Sequence, residues 1–289
     1  MQQLVADLLH QLELERLEVN LFRGESRDFG SPQVYGGQVL GQALRAAYAT
    51  IDDGRIVHSL HAYFLRRGDF NLPIVYSVDR SRDGSSYSSR RVVAIQKGEQ
   101  IFHLAASFQV PEQGFEHQMP MPQVPGPADL PDLTRLPETI AERLPDKVRN
   151  FLQRQRPFEF RMVQPIDLLT GNAAPAHQQV WVRLCDQIEA TDEMHRCLLA
   201  YIADFGFLNV ATLPHGSSYA HGDLFMASLD HAMWFHRKFR VDQWLLYDMD
   251  SPSASGGRGL ARGSFYAADG ALVASTAQEG LIRFIDAKR

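Results

Sequence analysis

Cysteine is almost missing from this chain: Cys185 and Cys197 are the only two in 289 residues. They stand at neither a metal-ligand spacing nor in a disulfide framework, and a chain of this length needs no covalent staples, so a reducing compartment is expected. Basic charge is also short, with 29 Lys and Arg against 34 Asp and Glu and a formal net charge of −5. Nucleic-acid phosphates demand a concentrated basic surface, so a nucleic-acid partner is not expected. The N-terminal stretch MQQLVADLLHQLELERLEVNLF has no basic segment leading into an unbroken apolar run, which excludes a signal peptide as an expectation. No run of roughly 18–20 apolar residues is expected to cross a membrane, and the terminal DAKR is no peroxisomal address of the S-K-L type. A soluble, cytoplasmic protein follows. The G-x-S-x-G elbow of serine hydrolases is lacking. His58 and His61 are no metal pair either, because residues three apart on a strand face opposite sides. No cofactor is expected.

What is present is enough apolar sequence, 45% of residues, for one large core or two smaller ones. Apolar spacing predicts a short amphipathic helix over Val5–Leu14 and a closely packed helix over Tyr35–Ala49, with a strand over Glu18–Gly24 between them. Alternating runs predict strands over Val57–Leu65, Pro73–Asp79, Tyr87–Gln96 and Gln100–Val110. Residues 111–137 hold seven of the fifteen prolines and read as a linker. Beyond it the plan repeats: a helix over Glu138–Arg154, strands over Glu159–Gln164 and Gln179–Leu184, a helix over Glu193–Leu208, then strands over Phe225–Phe235, Trp244–Met249, Gly259–Tyr266 and Ala271–Ile285. Helix followed by antiparallel strands, twice, is an α+β plan. One segment aligns directly: HSLHAYFLRR from His58 lies over SLDHAMWFHR from Ser228 at a constant offset of 170, the mark of a duplicated domain.

Asp204 stands out without any comparison. It is the only charged residue between Arg196 and His215, in LLAYIADFGFLNVATLP, which is apolar on nearly every helical face. A carboxylate there is expected to be buried, and burying it unpaired costs several kcal/mol, which a protein tolerates where it needs a base or a firmly held acceptor. The ordinary alternative is an aspartate at a helix end satisfied by backbone amides.

The runs YGGQVLGQAL at 35–44, HSLHAYFLRRGD at 58–69, SLDHAMWFHRKFRVDQWLLYDMDSPSASGGRGLARGSFY at 228–266 and LVASTAQEGLIR at 272–283 resemble the acyl-CoA thioesterase II family. The resemblance covers nearly the whole chain. It implies a double hotdog fold, each half wrapping an antiparallel sheet round a central helix, with an N-terminal domain at 1–115, a proline-rich linker at 116–155 and a C-terminal domain at 156–289. It implies hydrolysis of acyl-CoA to fatty acid and coenzyme A by direct water attack, with medium to long acyl chains as expected substrates, and a homo-oligomer, dimer or tetramer. Carried over by motif, Asp204, Ser228 and Gln278 would hold and polarise the water. Better-known members have threonine where this chain has Ser228. The hydroxyl survives, but the methyl that restrains χ1 is lost.

His58 is the repeat counterpart of Ser228 and is either a pocket residue or a structural histidine. Arg66-Arg67, Arg90-Arg91, Arg237-Lys238 and above all Arg258 and Arg262, in a glycine-rich stretch, are the candidates for the phosphates of coenzyme A. Trp234 and Phe235 line an acyl tunnel or the core. Two rivals stay open: a hotdog hydratase, disfavoured because no histidine lies within Leu198–Leu208, and a non-catalytic acyl-CoA-binding protein, for which a carboxylate beside an anionic ligand makes little sense.

Overall fold

The computed structural model describes residues 2–30, 33–52, 54–132, 135, 138–144, 146–164, 172–216 and 224–284. The first half runs α1 (Gln2–Leu12), β1 (Glu15–Glu18), β2 (Leu21–Gly24), α2 (Gly36–Tyr48), β3 (Ile56–Phe64), β4 (Ile74–Asp83), β5 (Tyr87–Gln96) and β6 (Glu99–Gln109). The second runs α3 (Glu138–Ala141), α4 (Asp146–Gln153), β7 (Phe158–Met162), β8 (His177–Leu184), α5 (Asp192–Ala203), β9 (Leu224–Ser228), β10 (Asp230–Phe235), β11 (Leu245–Ser255), β12 (Arg258–Ala267) and β13 (Leu272–Phe284). The strands form one antiparallel sheet in the order β1-β2-β4-β5-β6-β3-β10-β13-β12-β11-β8-β7, with β9 attached to β13. Read outward from the β3–β10 junction, the two halves have the same order, so the duplication is a duplication of topology.

An offset of 170 makes His61 and Ala62 the counterparts of His231 and Ala232. In the β3–β10 ladder His61 faces Ala232 and Ala62 faces His231. His61 is exposed and His231 buried, so residues 170 apart lie on opposite faces of the sheet and the sequence alignment is out of structural register here, although the strand order repeats.

The concave side of the sheet is filled by α2 and α5, which pack on each other. Both are buried nearly all round, and the polar side chains they bury, among them Gln38, Gln42 and Arg196, are hydrogen-bonded. Their closest approach is made by Gly37, where a Cβ would collide with the Tyr201 carbonyl oxygen. The proline-rich stretch clings to the outside of the second half. Met121, Val124 and Leu130 cover Trp181, Leu246 and Tyr266, and the Trp181 indole donates to the Pro125 carbonyl at 2.9 Å.

Several expectations change. The helix over Glu138–Arg154 is two helices, α3 and α4. The helix over Glu193–Leu208 stops at Ala203 because Gly206 adopts φ 69°, a left-handed conformation that ends an α-helix; a 3₁₀ turn, Phe207–Ala211, follows. Asp192–His215 therefore does meet the length and mean hydropathy (1.5) of a membrane span, contrary to expectation, but it is broken at this glycine and 67% buried inside the protein. The strand over Phe225–Phe235 is two strands, divided at Leu229. Glu18–Gly24 is likewise a hairpin, β1 and β2 meeting at the turn after Glu18. Ile285, Pro137 and the terminal DAKR lie outside the described residues.

Candidate functional site

Asp204 is placed by the way α5 begins and ends. Thr191 caps its start, its Oγ1 accepting from Met194 N–H, and Asp192 and Glu193 complement the positive end of the helix. Asp204 is the residue that closes it. It is half-buried and not unpaired, a correction to the expectation of a carboxylate locked in the core. Both of its partners come from the strands that face the helix end. Ser228 Oγ donates to Asp204 Oδ1 at 3.1 Å, and Gln278 Nε2 donates to the same oxygen at 3.1 Å and to Ser228 Oγ at 2.8 Å. The three residues singled out by motif thus form one closed ring of hydrogen bonds.

The break at Leu229 makes that ring possible. Leu229 N–H donates to Glu279 and its carbonyl accepts from Phe64 N–H, so the kink is bonded on both sides. Ser228 then pairs with Gly280 on β13, beside Gln278. Gln278 is 1% exposed and points inward. Its Oε1 meets His231 Nδ1 at 2.5 Å, and His231 is fully buried with its ring near Phe207.

The other carboxylate oxygen faces the first half of the molecule. A Cβ on Gly36, the first residue of α2, would lie 2.7 Å from Asp204 Oδ2. The opening amides of a helix have no partner within it and carry its positive dipole, and the residue before α2, Tyr35, provides no side-chain cap. Tyr35 donates instead to the Tyr201 carbonyl at 2.7 Å and stacks on Phe29 with ring centroids 4.3 Å apart. Burial first, and then the charge of Asp204, push the Tyr35 phenol well above its ordinary range; burial and the same charge also raise Tyr247. The rings of Phe29, Phe151 and Phe205 surround Arg156, which is 5% exposed with its guanidinium 5.0 Å from the Phe205 ring.

The remaining candidates lie elsewhere. His58 is six residues before Phe64 along β3, about 20 Å from the Ser228 end at roughly 3.3 Å per residue. Its Nε2 is 2.8 Å from Ser107 Oγ, and it stands edge-on to Tyr87. At the matching end of the first half the residue closing α2 is Ala49, not a carboxylate. The buried Arg90 fills that end, bonding Thr50 Oγ1, the Thr50 carbonyl and Asp83, so Arg90 is no phosphate ligand. Arg262 is exposed and tied to Asp250 through two hydrogen bonds. Arg258 pairs with Glu279 and borders an open groove of about 520 Å³ with His215 and Arg283. The nearby glycines serve packing rather than ligand approach: Gly259 abuts Ile282 and Gly263 abuts the Tyr247 ring. Trp234 lies 37% exposed on the outer face, whereas Phe235 is core.

Cys197 is no nucleophile. It is fully buried, and burial pushes its thiol up to about 12. His195 stands two residues before it, but positions two apart on a helix do not face each other, and His195 Nδ1 accepts from Val241 N–H.

Sequence reasoning missed His231 and Gly36. The first was visible only as a repeat match to His61, and the second only as one of two adjacent glycines opening a helix.

A model of the acyl-CoA thioesterase family matches residues 148–281, and one of the acyl-CoA thioesterase N-terminal domain matches residues 25–109. The chain is 42% identical to acyl-CoA thioesterase 2 of Haemophilus influenzae over 284 residues, 98% of this chain and 99% of that one. It is 42% identical to acyl-coenzyme A thioesterase 8 of Homo sapiens, over 94% of this chain and 87% of that one. Among solved structures it is similar to the acyl-CoA thioesterase II TesB2 of Mycobacterium marinum, with a TM-score of 0.79, 43% identity and coverage of 96% and 99%. A hot dog protein of Alicyclobacillus acidocaldarius, at a TM-score of 0.77 and 18% identity over 96% and 98%, shares the fold.

Proposed function

Because the chain belongs to the acyl-CoA thioesterase II family and is an acyl-CoA thioester hydrolase, we propose that Asp204, Ser228 and Gln278 hold and activate the water that attacks the thioester. The observation that carries this is the sharing of one carboxylate oxygen, Oδ1, by the Ser228 hydroxyl and the Gln278 amide. Those two bonds fix the carboxylate plane and leave Oδ2 toward the start of α2. Water between Oδ2 and the thioester gives its proton to Asp204 as its oxygen bonds the carbonyl carbon. The charge that develops on the carbonyl oxygen is met by the amides of Gly36 and Gly37, which have no partner within α2. Collapse breaks the C–S bond, the proton passes from Asp204 to the departing thiolate, and free acid and coenzyme A leave. No covalent enzyme intermediate is formed.

The apolar space beside Phe205, lined by Phe160, Met162, Val180, Val182 and Met249, is about 50 Å³ and marks the acyl side of the site, while medium to long acyl groups as substrates rest on the family resemblance. Arg258 at its groove supports a role in meeting the phosphates of coenzyme A; Arg262 would first have to leave Asp250. A cytoplasmic location is our reading of a chain whose two cysteines are both free. Assembly as a dimer or tetramer is supported by the outer face of the β3–β10 junction, where Tyr63 is 53% exposed and Trp234 stands edge-on to His61. The hydratase alternative loses ground because His231, the histidine near Asp204, is sealed from substrate.

Thiol release from acyl-CoA esters of increasing chain length, run beside Asp204→Asn, tests the mechanism. Hydrolysis by wild type with loss of most turnover in the variant supports water activation by Asp204. Full activity in Asp204→Asn removes Asp204 from the mechanism, and tight binding without any hydrolysis favours the binding-protein alternative.

A further inference from the structure

Gln278 can play its part in only one of two orientations. Its amide presents an acceptor on one side and two N–H donors on the other, and turning the group over exchanges them at almost no change in shape. An ionised carboxylate only accepts, so the side that faces Asp204 has to be the donor, as found. Ser228 reinforces the choice. Its single proton is given to Asp204, so toward Gln278 it is an acceptor, and Gln278 Nε2 donates to it. Neither group could hold the amide this way round if something at its far side preferred a donor.

The far side is His231. Gln278 Oε1 lies 2.5 Å from His231 Nδ1, and an oxygen that accepts demands a proton on that nitrogen. The rest of the imidazole has no such freedom to exploit. His231 is fully buried on β10, its ring centroid 6.0 Å from that of Phe207, and Nε2 has no hydrogen-bond partner among the described residues. A proton on Nε2 would leave a buried donor unsatisfied, and its lone pair left bare costs less than a buried unpaired N–H beside an apolar ring. Burial also holds the ring below its ordinary pKa, against the pull of Asp204. A neutral ring carries one proton, and the surroundings leave Nδ1 to hold it.

We propose that His231, as the neutral Nδ1–H tautomer, is a positioning residue that sets the direction of the Gln278 amide and thereby aims its donors at Asp204 and Ser228. The proposal rests on the role given above to those three residues. With the proton on Nε2 instead, Nδ1 would accept, the amide would turn over, and Oε1 would face the carboxylate and the serine oxygen, acceptor against acceptor. One proton buried in the core thus decides whether the ring of hydrogen bonds round Asp204 closes. His231 never touches substrate, and His61, aligned with it in sequence, is no counterpart, being exposed and edge-on to Trp234.

The tautomer is read directly by long-range ¹H–¹⁵N correlation on the full-length enzyme labelled at histidine, with His231→Asn used to assign the signal. A protonated Nδ1 and a pyridine-like Nε2 are expected; a protonated Nε2 overturns the proposal. This measurement reads the hydrogen-bond direction whether or not Asp204 is the base, so it fails separately from the mechanism that Asp204→Asn tests. Kinetics supply the second arm. His231→Leu keeps the volume but no donor, and kcat is expected to drop about 100-fold with KM little changed. His231→Asn places an amide donor where Nδ1 stands and is expected to recover about tenfold of that loss. Equal losses in folded Leu and Asn variants, or wild-type kcat in His231→Leu, overturn the positioning role.

Discussion

Asp204 Oδ2 occupies the space in front of Gly36 so closely that a Cβ on residue 36 would be 2.7 Å from it. The two residues belong to different halves of the duplicated chain, one closing α5 and the other opening α2. The site is therefore built at the junction of the two repeats, although all three motif residues come from the second.

Gly36→Ala tests that closeness. The added methyl meets Oδ2 and two Phe64 ring carbons at 3.0 and 3.2 Å, so the carboxylate is the group free to move. A shift of the base by about 1 Å predicts a fall in kcat of about 100-fold with the fold intact. Gly37→Ala is the contrast, because its Cβ runs into the Tyr201 backbone, which cannot give way. That variant is expected to lose thermal stability outright. Unaltered turnover in Gly36→Ala, measured by thiol release, would detach α2 from the chemistry.

Ser228 offers a gain as well as a loss. Its hydroxyl donates to Asp204 and accepts from Gln278, so Ser228→Ala breaks two bonds of the ring and is expected to lower kcat by about 100-fold. Ser228→Thr keeps the hydroxyl and adds the methyl that restrains χ1. Activity equal to or above wild type is expected, since Ser228 is only half-buried at the end of β9. A threonine variant as inactive as alanine would show that the serine is held for its size, not for its hydroxyl.

The duplication was legible in the repeated order of helix and strands, but the offset of 170 lays exposed His61 and Tyr63 over buried His231 and Met233, because sequence similarity does not see which face of a strand is covered. Asp204 was legible as a lone charge in an apolar run. Its depth was misjudged because periodicity carries the helix through to Leu208, and a single residue, Gly206, ends it early by its backbone conformation. Gly36 and His231 were hidden for different reasons. A glycine's role depends on what approaches it from a distant segment, and the tautomer of a histidine depends on a partner 47 residues away. Arg90 shows the reverse failure: a surface-like arginine pair in sequence proved half core, its guanidinium closing the end of α2.

Arg156 ties the linker to the site and should be costly to replace. Its guanidinium lies 5.4, 4.7 and 5.0 Å from the rings of Phe29, Phe151 and Phe205, and it donates to the carbonyls of Arg154 and Phe151. Burial lowers its pKa to about 10, which leaves it charged at neutral pH. Arg156→Met keeps bulk but strands two carbonyls and removes the cation from the aromatic box, so a loss of about 2–4 kcal/mol is expected. Chemical denaturation measures it. Because Phe205 adjoins Asp204, kcat should fall as well, and a variant as stable as wild type would remove the cation from the account.

Acid should weaken the fold before its carboxylates titrate. His231 and His195 are 0% and 2% exposed, and burial holds both below the ordinary histidine value of 6.5. In the unfolded chain they take up protons at 6.5 and below, whereas in the folded protein they resist, so the unfolded state binds more protons across that window. Their contribution to stability is complete above 6.5 and declines as the pH falls beneath it toward their folded values. Urea denaturation at pH 7.5, 6.5 and 5.5 should therefore give midpoints that agree between the first two more closely than between the last two. His195→Gln should flatten the decline by removing one of the two groups. A midpoint unchanged down to pH 5.5 would mean that the buried imidazoles are charged in the folded protein, and a charged His231 would place a proton on Nε2 where no partner among the described residues receives it.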